Sequence, residues 1–259
     1  MGYETLMVET GEDYVAEITL NRPQKFNTFN TPLAAELDEA LKTLDAARDV
    51  RVILLKGAGK TFCAGIDVTE LEGKSPMEYR EWIQRMESPL ITVSRLKKPV
   101  IAKVHGVAAA NGAGLVAAAD LAIAADNARF GLTAINVGLN CVGPVVPVSR
   151  IVGRKKALEM LFYGNLIGAE EAMRLGLLNR IVPSQELEKE AREWAALLAQ
   201  KSPLALQNAK RGFYESADMD YYKAFDHMNE LFARLCTTED AKEGVSAFLE
   251  NRKPVWKER

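Results

Sequence analysis

Little in this chain of 259 residues invites metal or disulfide chemistry. Its three cysteines, Cys63, Cys141 and Cys236, show neither metal-ligand nor disulfide spacing, and an odd count fits a reducing compartment. There is no excess of positive charge. The formal net charge is −2 and no basic stripe interrupts the mixed charges, which argues against a nucleic-acid partner. The N-terminus, Met1-Gly2-Tyr3-Glu4-Thr5, has no basic region leading into an apolar run, so no secretory signal is expected. Leu6 stands where a myristoylation start needs Ser or Thr. The apolar segment from Leu115 to Ala125 is short and broken by Asp120, so no membrane span is expected. The expected location is cytoplasmic, with no membrane partner. What remains, 48% hydrophobic and 26% charged residues, is an ordinary globular composition. The length suits one large α/β domain, or one domain with a helical appendage.

The first half alternates strand and helix signals. Leu6 to Glu9 and Ala16 to Leu20 read as strands around the polar turn Gly11-Glu12-Asp13, and Asn21-Arg22-Pro23 ends the second. Thr31-Pro32 opens a helix with Leu33, Leu37, Ala40, Leu41 and Leu44 on one face. Arg51 to Gly57 is a buried-type strand. Ser75-Pro76 opens a longer helix carrying Trp82, Ile83, Met86, Leu90, Ile91 and Val93, and Lys97-Lys98-Pro99 closes it. Val100 to Val104 and Leu121 to Ala124 read as strands, Gly112 to Ala119 as a closely packed helix, and Phe130-Gly131 as the start of a loop. The alternation predicts an α/β architecture. After Pro144 helical patterns dominate, at Lys155 to Tyr163, Ala169 to Leu175, Gln185 to Lys201, Pro203 to Ser216, Asp220 to Cys236 and Thr238 to Glu250. Ser184 and Ser202 are the expected caps of two of them. We therefore divide the chain into a core, residues 1–200, and a C-terminal helical region, residues 201–259, whose spare apolar faces point to oligomerisation.

Two segments carry the chemistry. Phe62-Cys63-Ala64-Gly65-Ile66-Asp67 and His105-Gly106-Val107-Ala108-Ala109-Ala110-Asn111-Gly112-Ala113-Gly114 each follow a strand, and both are dense in Gly and Ala. Small residues let a backbone turn tightly and let a ligand approach it. Two such loops side by side can aim main-chain N–H groups at one oxygen, the arrangement that stabilises charge developing on a carbonyl.

In order and spacing, these segments and several others resemble the crotonase superfamily, the enoyl-CoA hydratase/isomerase family. The likeness runs nearly end to end: Leu20-Asn21-Arg22-Pro23 with Lys25 and Asn27, Gly59 to Asp67, Lys98 to Ala102 leading into His105-Gly106, Phe130-Gly131 to Gly138, Gly168-Ala169-Glu171-Ala172, Gly176-Leu177-Leu178, and Thr238-Glu239-Asp240 with Glu243-Gly244 and Phe248. The resemblance implies a spiral core of β–β–α turns with a C-terminal helical trimerisation region, assembled as a homotrimer or a dimer of trimers. It implies an acyl-CoA substrate, with coenzyme A entering as part of that substrate and no separate cofactor or metal. The thioester carbonyl would sit between the N–H of Ala64 and the N–H of Asn111. Substrate contacts would come from Arg22, Lys25 and Phe26 of the early loop, from Gly65, Ile66 and Asp67, and from Gly114, Ala134 and Cys141. Arg252 and Lys253 are candidates for a neighbouring subunit's 3′-phosphate, and the basic residue usual in that segment falls on Asn251.

The same resemblance exposes a departure. The two glutamates with which the family's hydratases move protons fall on Gly114 and Ala134, and a third carboxylate position used by some members falls on Val142. Each positioned acid or base contributes about 10²–10⁴ in rate, so ordinary hydratase activity is not expected. Gly114 is also expected to free volume for a larger acyl group. Among possible substitutes, Asp67 reads as a helix cap, Glu70 and Glu72 as solvated charges, Cys63 and Cys141 as buried thiols and His105 as a turn brace. Asn140 adds no acid or base, and His227 reads as an oligomer or surface residue. The primary reading is an enzyme, hydratase/isomerase-like, that stabilises a thioester enolate, with decarboxylation one reaction needing little acid–base help. The alternative is a non-catalytic acyl-CoA-binding or scaffold subunit.

Overall fold

The structure is a computed structural model and describes residues 2–259. The chain opens with an antiparallel pair, β1 (Leu6–Thr10) and β2 (Val15–Leu20). There follow α1 (Thr31–Ala46), β3 (Val52–Gly57), α2 (Pro76–Arg95), β4 (Val100–Val104), β5 (Val107–Ala109), α3 (Asn111–Ala118), β6 (Leu121–Ala125) and β7 (Arg129–Gly131). The second half adds α4 (Val145–Val152), α5 (Arg154–Tyr163), β8 (Ile167–Gly168), α6 (Ala169–Arg174), β9 (Arg180–Val182) and α7 (Leu187–Ala199). It ends with α8 (Pro203–Ser216), α9 (Tyr221–Cys236) and α10 (Glu239–Leu249).

Six strands form one sheet in the order β1-β2-β3-β4-β6-β9, parallel from β2 onward. Alternation along β3 sends Ile53 and Leu55 into the main core with Leu33, Leu37 and Leu41 of α1. Val52 and Leu54 point the other way, against Leu187, Ala191 and Ala195 of α7. The sheet is thus covered on both faces, as a largely parallel sheet must be. Helix starts follow local chemistry. Asn30 accepts from the Leu33 N–H at 3.0 Å to cap α1, and Ser75 with Glu78 closes a capping box on α2.

The C-terminal helices are tied to the sheet by a buried ion pair. Lys210 Nζ of α8 lies 2.6 Å from Asp120 Oδ2, which also accepts from the Val100 N–H at 2.7 Å. Tyr214 donates to the other carboxylate oxygen at 3.1 Å. Burial raises the Asp120 pKa and lowers that of Lys210, so the pair is held by its geometry against a desolvation penalty.

Three local readings change. The segment at Phe130-Gly131 is a strand rather than a loop: β5, β7 and β8 form a second, three-stranded sheet. Three strands of three residues or fewer are too short to leave an alternation pattern. Helix α4 occupies a stretch to which the sequence patterns assign no element; it forms despite the β-branched run Val145-Val146-Pro147-Val148, with Val148 buried. Ser184 does not cap α7. Its hydroxyl donates to Asp126 at 2.9 Å, and the helix begins at Leu187 without a side-chain cap.

Candidate active site

The two small-residue loops lie side by side. Cys63 pairs with Ala108 in a parallel bridge, with Cys63 N–H donating to the Val107 carbonyl at 3.1 Å and Ala109 N–H to the Cys63 carbonyl at 2.9 Å. The glycines are required by this closeness. A Cβ at Gly65, whose φ is +115°, would stand 2.9 Å from the Ala110 Cβ, and a Cβ at Gly112 would collide with the Cys63 carbonyl oxygen. The opposite edge of the first loop pairs with the early loop through Phe29 and Ile66. Phe29 N–H donates to the Gly65 carbonyl at 2.8 Å and Asp67 N–H to the Phe29 carbonyl at 2.7 Å.

This register decides which amides are free. The Ala64 N–H donates to the Phe26 carbonyl at 3.0 Å, so it is engaged and faces the early loop. Its expected place as a carbonyl donor is corrected by that bond. The N–H groups of Gly65 and Ile66 have no partner among the described residues. In this parallel bridge Phe29 uses its own N–H and C=O to bond Gly65 and Asp67, so the residue opposite it, Ile66, turns its own N–H away. The Ile66 N–H therefore points away from Phe29, toward the edge occupied by the second loop and α3.

Ala110 enters α3 at φ +47°, ψ −114°, a region an L-residue occupies only when the surroundings impose it. Its N–H is held by the Gly131 carbonyl at 2.8 Å. Helix α3 then begins with no side-chain cap, and the N–H groups of Asn111, Gly112 and Ala113 have no partner among the described residues although all three residues are buried. A buried helix end without caps is a place where an external oxygen completes the hydrogen bonding. The Asn111 carboxamide does not face that opening: its Nδ2 donates to the Met86 carbonyl of α2 at 3.1 Å, tying α3 to α2.

Gly114 does not leave room. A Cβ there would lie 2.8 Å from Leu90 Cδ2, 2.8 Å from Pro144 Cβ and 2.9 Å from Pro144 Cα. The expectation of extra acyl space at this position is therefore overturned, since Leu90 and Pro144 already fill it. Ala134 is half-buried in a short 3-10 turn, Thr133–Val137, and the neighbouring Ile135, Val137, Leu139 and Val142 are exposed apolar residues. Cys141 is buried, and burial pushes its thiol pKa up against a hydrogen bond to the Ala134 backbone. Asn140 is exposed.

The remaining candidates have defined partners. Asp67 caps the turn Val68–Glu70 through Thr69 and pairs with Arg22 at 2.9 Å; the Thr69 hydroxyl, with Arg22, holds its pKa low. Arg22 also donates to the Thr28 carbonyl, so its guanidinium is committed to bracing the loop rather than free for a phosphate. Lys25 and Phe26 are exposed on the same loop. Glu70 is not a solvated charge. Burial works to raise its carboxyl, but donors from Trp82 and Thr31 outweigh it and hold the pKa below the ordinary value. Glu72 is exposed. His105 Nε2 meets the Gly59 carbonyl at 2.9 Å, and burial lowers its pKa. His227 pairs with Glu215 at 2.9 Å. Arg252 is bound by Glu243 and Glu250 of its own chain, whereas Lys253 is exposed.

Comparison with known proteins gives this geometry its family. The profile described as enoyl-CoA hydratase/isomerase matches residues 10–259. The chain belongs to the enoyl-CoA hydratase/isomerase family. The crystal structure of an enoyl-CoA hydratase from Mycobacterium smegmatis superposes with a TM-score of 0.94 at 40% identity, covering 97% of this chain and 98% of that one. A crotonyl-CoA hydratase of Syntrophomonas wolfei is 32% identical over 98% of both chains. The mitochondrial enoyl-CoA hydratase domain-containing protein 3 of Rattus norvegicus is 34% identical over 95% of this chain and 82% of its own. Among the described residues no helix is long and apolar enough to cross a membrane.

Two groups in this family member went unread in the sequence. One is the Ile66 amide, whose freedom depends on which edge of the loop pairs with Phe29. The other is Glu87. It interrupts the apolar stripe of α2 four residues after Ile83 and four before Ile91, a spacing that could have signalled it.

The thiols give a direct test of burial. Cys63 has no exposed surface and its pKa is pushed up to about 12 by desolvation, while Cys236 is exposed. A chromogenic disulfide reagent should titrate Cys236 alone in the native protein, with Cys63 and Cys141 reacting only in denaturant. Rapid native labelling of Cys63, located by peptide mapping, would contradict the loop packing.

Proposed function

We propose that this family member binds an acyl-CoA thioester with the carbonyl oxygen between the Ile66 and Asn111 N–H groups, and stabilises the enolate formed there. The single observation that carries the reading is the pairing of two unpartnered amides on adjacent loops, one at a buried and uncapped helix start. Neither donor needs to reorganise as negative charge develops, which is what makes such sites effective. The α3 dipole adds to the field at Asn111. Apolar residues 135, 137, 139 and 142 beside Ala134 form a rim suited to an acyl chain, and Lys25 with Phe26 stands at the exposed edge for the nucleotide part.

Standard two-carboxylate hydration is not the supported reaction, because Gly114 and Ala134 occupy the positions that the family motif gives to the two glutamates. The exposed apolar surface on the C-terminal helices, with Phe213, Phe225, Phe232 and Phe248 all more than half exposed, supports assembly through that region as a trimer or a pair of trimers. Light scattering should give a mass that is a multiple of three chains.

The reading is tested by incubating the protein with enoyl-, β,γ-enoyl-, dienoyl- and malonyl-type CoA thioesters and following products by mass spectrometry. A new product is the expected result and names the reaction. Acyl-CoA binding without any product would favour the non-catalytic alternative, and no binding would remove the reading altogether.

A further inference from the structure

The proposed site holds an enolate but, as built from its two loops, has nothing to move a proton. Helix α2 brings a carboxylate against the segment that packs on Gly114. The Met86 carbonyl accepts from the Asn111 carboxamide, which ties the turn of α2 that carries Glu87 to the start of α3. The Glu87 carboxyl rests on Gly143: a Cβ added to that glycine would collide with Glu87 Oε1 and Cδ, and only a bare backbone leaves room for it. Gly143 continues into Pro144, which packs on Gly114. Two residues before Gly143, Cys141 bonds back to the Ala134 backbone. Both positions from which the family's glutamates are missing thus adjoin the short segment 141–144 against which Glu87 lies.

Glu87 is unlike the other part-buried carboxylates nearby. Asp67 and Glu70 are saturated with donors, whereas Glu87 has neither a hydrogen bond nor an ion pair among the described residues. It also lines, with Leu90, Gly143 and Val146, a cleft of about 1500 Å³ that runs toward α8 and α9.

We propose that Glu87 is the proton-transfer group of this site, replacing from α2 the carboxylates absent from α3 and the 3-10 turn. The inference rests on the acyl-CoA reading above. The carboxylate removes a proton from the carbon α to the thioester carbonyl. The C–H electron pair moves into the carbonyl, and the oxyanion is held by Ile66 and Asn111. The carboxylic acid so formed swaps its proton with solvent and returns one to the same carbon, giving exchange, or passes its proton to the γ-carbon of a β,γ-enoyl thioester, giving the α,β-isomer. The isomerisation is balanced with this one group as base and then acid, and the exchange reaction needs in addition only solvent contact with the protonated carboxyl. Burial pushes the Glu87 carboxyl above its ordinary pKa, which suits a base that must also act as an acid.

The experiment follows deuterium incorporation at the α-carbon of butyryl-CoA in D₂O by mass spectrometry, with butyryl-CoA binding measured by calorimetry on the same samples. The wild-type protein is expected to exchange. Glu87→Gln is expected to bind with unchanged affinity and to exchange about 10²–10⁴-fold more slowly. Glu87→Asp should retain part of the rate, and Glu87→Ala should recover exchange when formate is added, which a merely structural role would not produce. Exchange by Glu87→Gln at the wild-type rate overturns the assignment of Glu87 and leaves the enolate site standing. Binding without exchange in the wild type overturns the assignment and favours the non-catalytic alternative. Absence of binding overturns both readings.

Discussion

Replacing the Ile66 amide by an ester is expected to reduce turnover, or α-proton exchange, by about 10²–10³-fold, the usual effect of deleting one oxyanion donor. The ester removes the N–H and keeps the side chain, so the apolar packing of Ile66 is retained. The same change at Ala64 should behave differently. It breaks a loop hydrogen bond to the Phe26 carbonyl and should lower stability by about 1 kcal/mol, with a smaller effect on rate. The two residues are separated only by Gly65, and both lie in a loop that reads as a donor site. What separates them is direction. Ala64 points its N–H into the early loop, while Ile66, paired with Phe29 by its neighbours' groups, points its own to the other edge. A rate loss at Ala64 with none at Ile66 would reverse the assignment. Both backbone variants can be made by incorporating the corresponding α-hydroxy acids, with unfolding curves recorded alongside.

Restoring a glutamate at Gly114 is expected to fail as a route to hydratase activity. In the family pattern this position supplies a proton-transferring carboxylate, and a vacant pocket would let Gly114→Glu regain about 10²–10⁴ in crotonyl-CoA hydration. The site is not vacant. Pro144 presents its Cα and Cβ within 3 Å of any Cβ at 114, and these are rigid atoms that cannot turn aside as the end of Leu90 can. The substitution should therefore displace segment 141–144 and lower stability by about 1–3 kcal/mol through overpacking, against a small gain from replacing glycine in a helix. Denaturant unfolding gives the first quantity and the absorbance of the enoyl thioester the second. A stable Gly114→Glu protein with strong hydration would show that Pro144 yields easily, and the glycine would then be only a lost side chain.

Both predictions bear on one question, which is how a chain with Gly114 and Ala134 in place of carboxylates uses this scaffold. At Gly114 Leu90 and Pro144 already fill the space a side chain would need, so the position is a packed wall rather than an open gap. Glu87, which no loop motif announces, lies against the same wall through Gly143. The early loop shows a comparable reassignment. Arg22 is spent on Asp67 and Thr28, leaving Lys25 and Phe26 as the exposed residues of that loop.

Most strands and helices were legible because their signals are local: apolar alternation in β2 and β3, the stripe of α1, and Ser or Thr ahead of α2, α8 and α10. Segments of three residues or fewer, such as β5, β7 and β8, carry no period and exist only because neighbouring backbones pair with them. The sequence by itself determined the order of elements, the positions of the two small-residue loops, and the absence of glutamate at 114 and 134. It could not determine which loop amides are free, since that depends on pairing between segments distant in the chain, as with Phe29 and Gly65. Nor could it show that Pro144 and Leu90 fill the space at Gly114, or that Glu87 of α2 meets Gly143. Those contacts join residues far apart in sequence, and close packing of the folded chain is what fixes them.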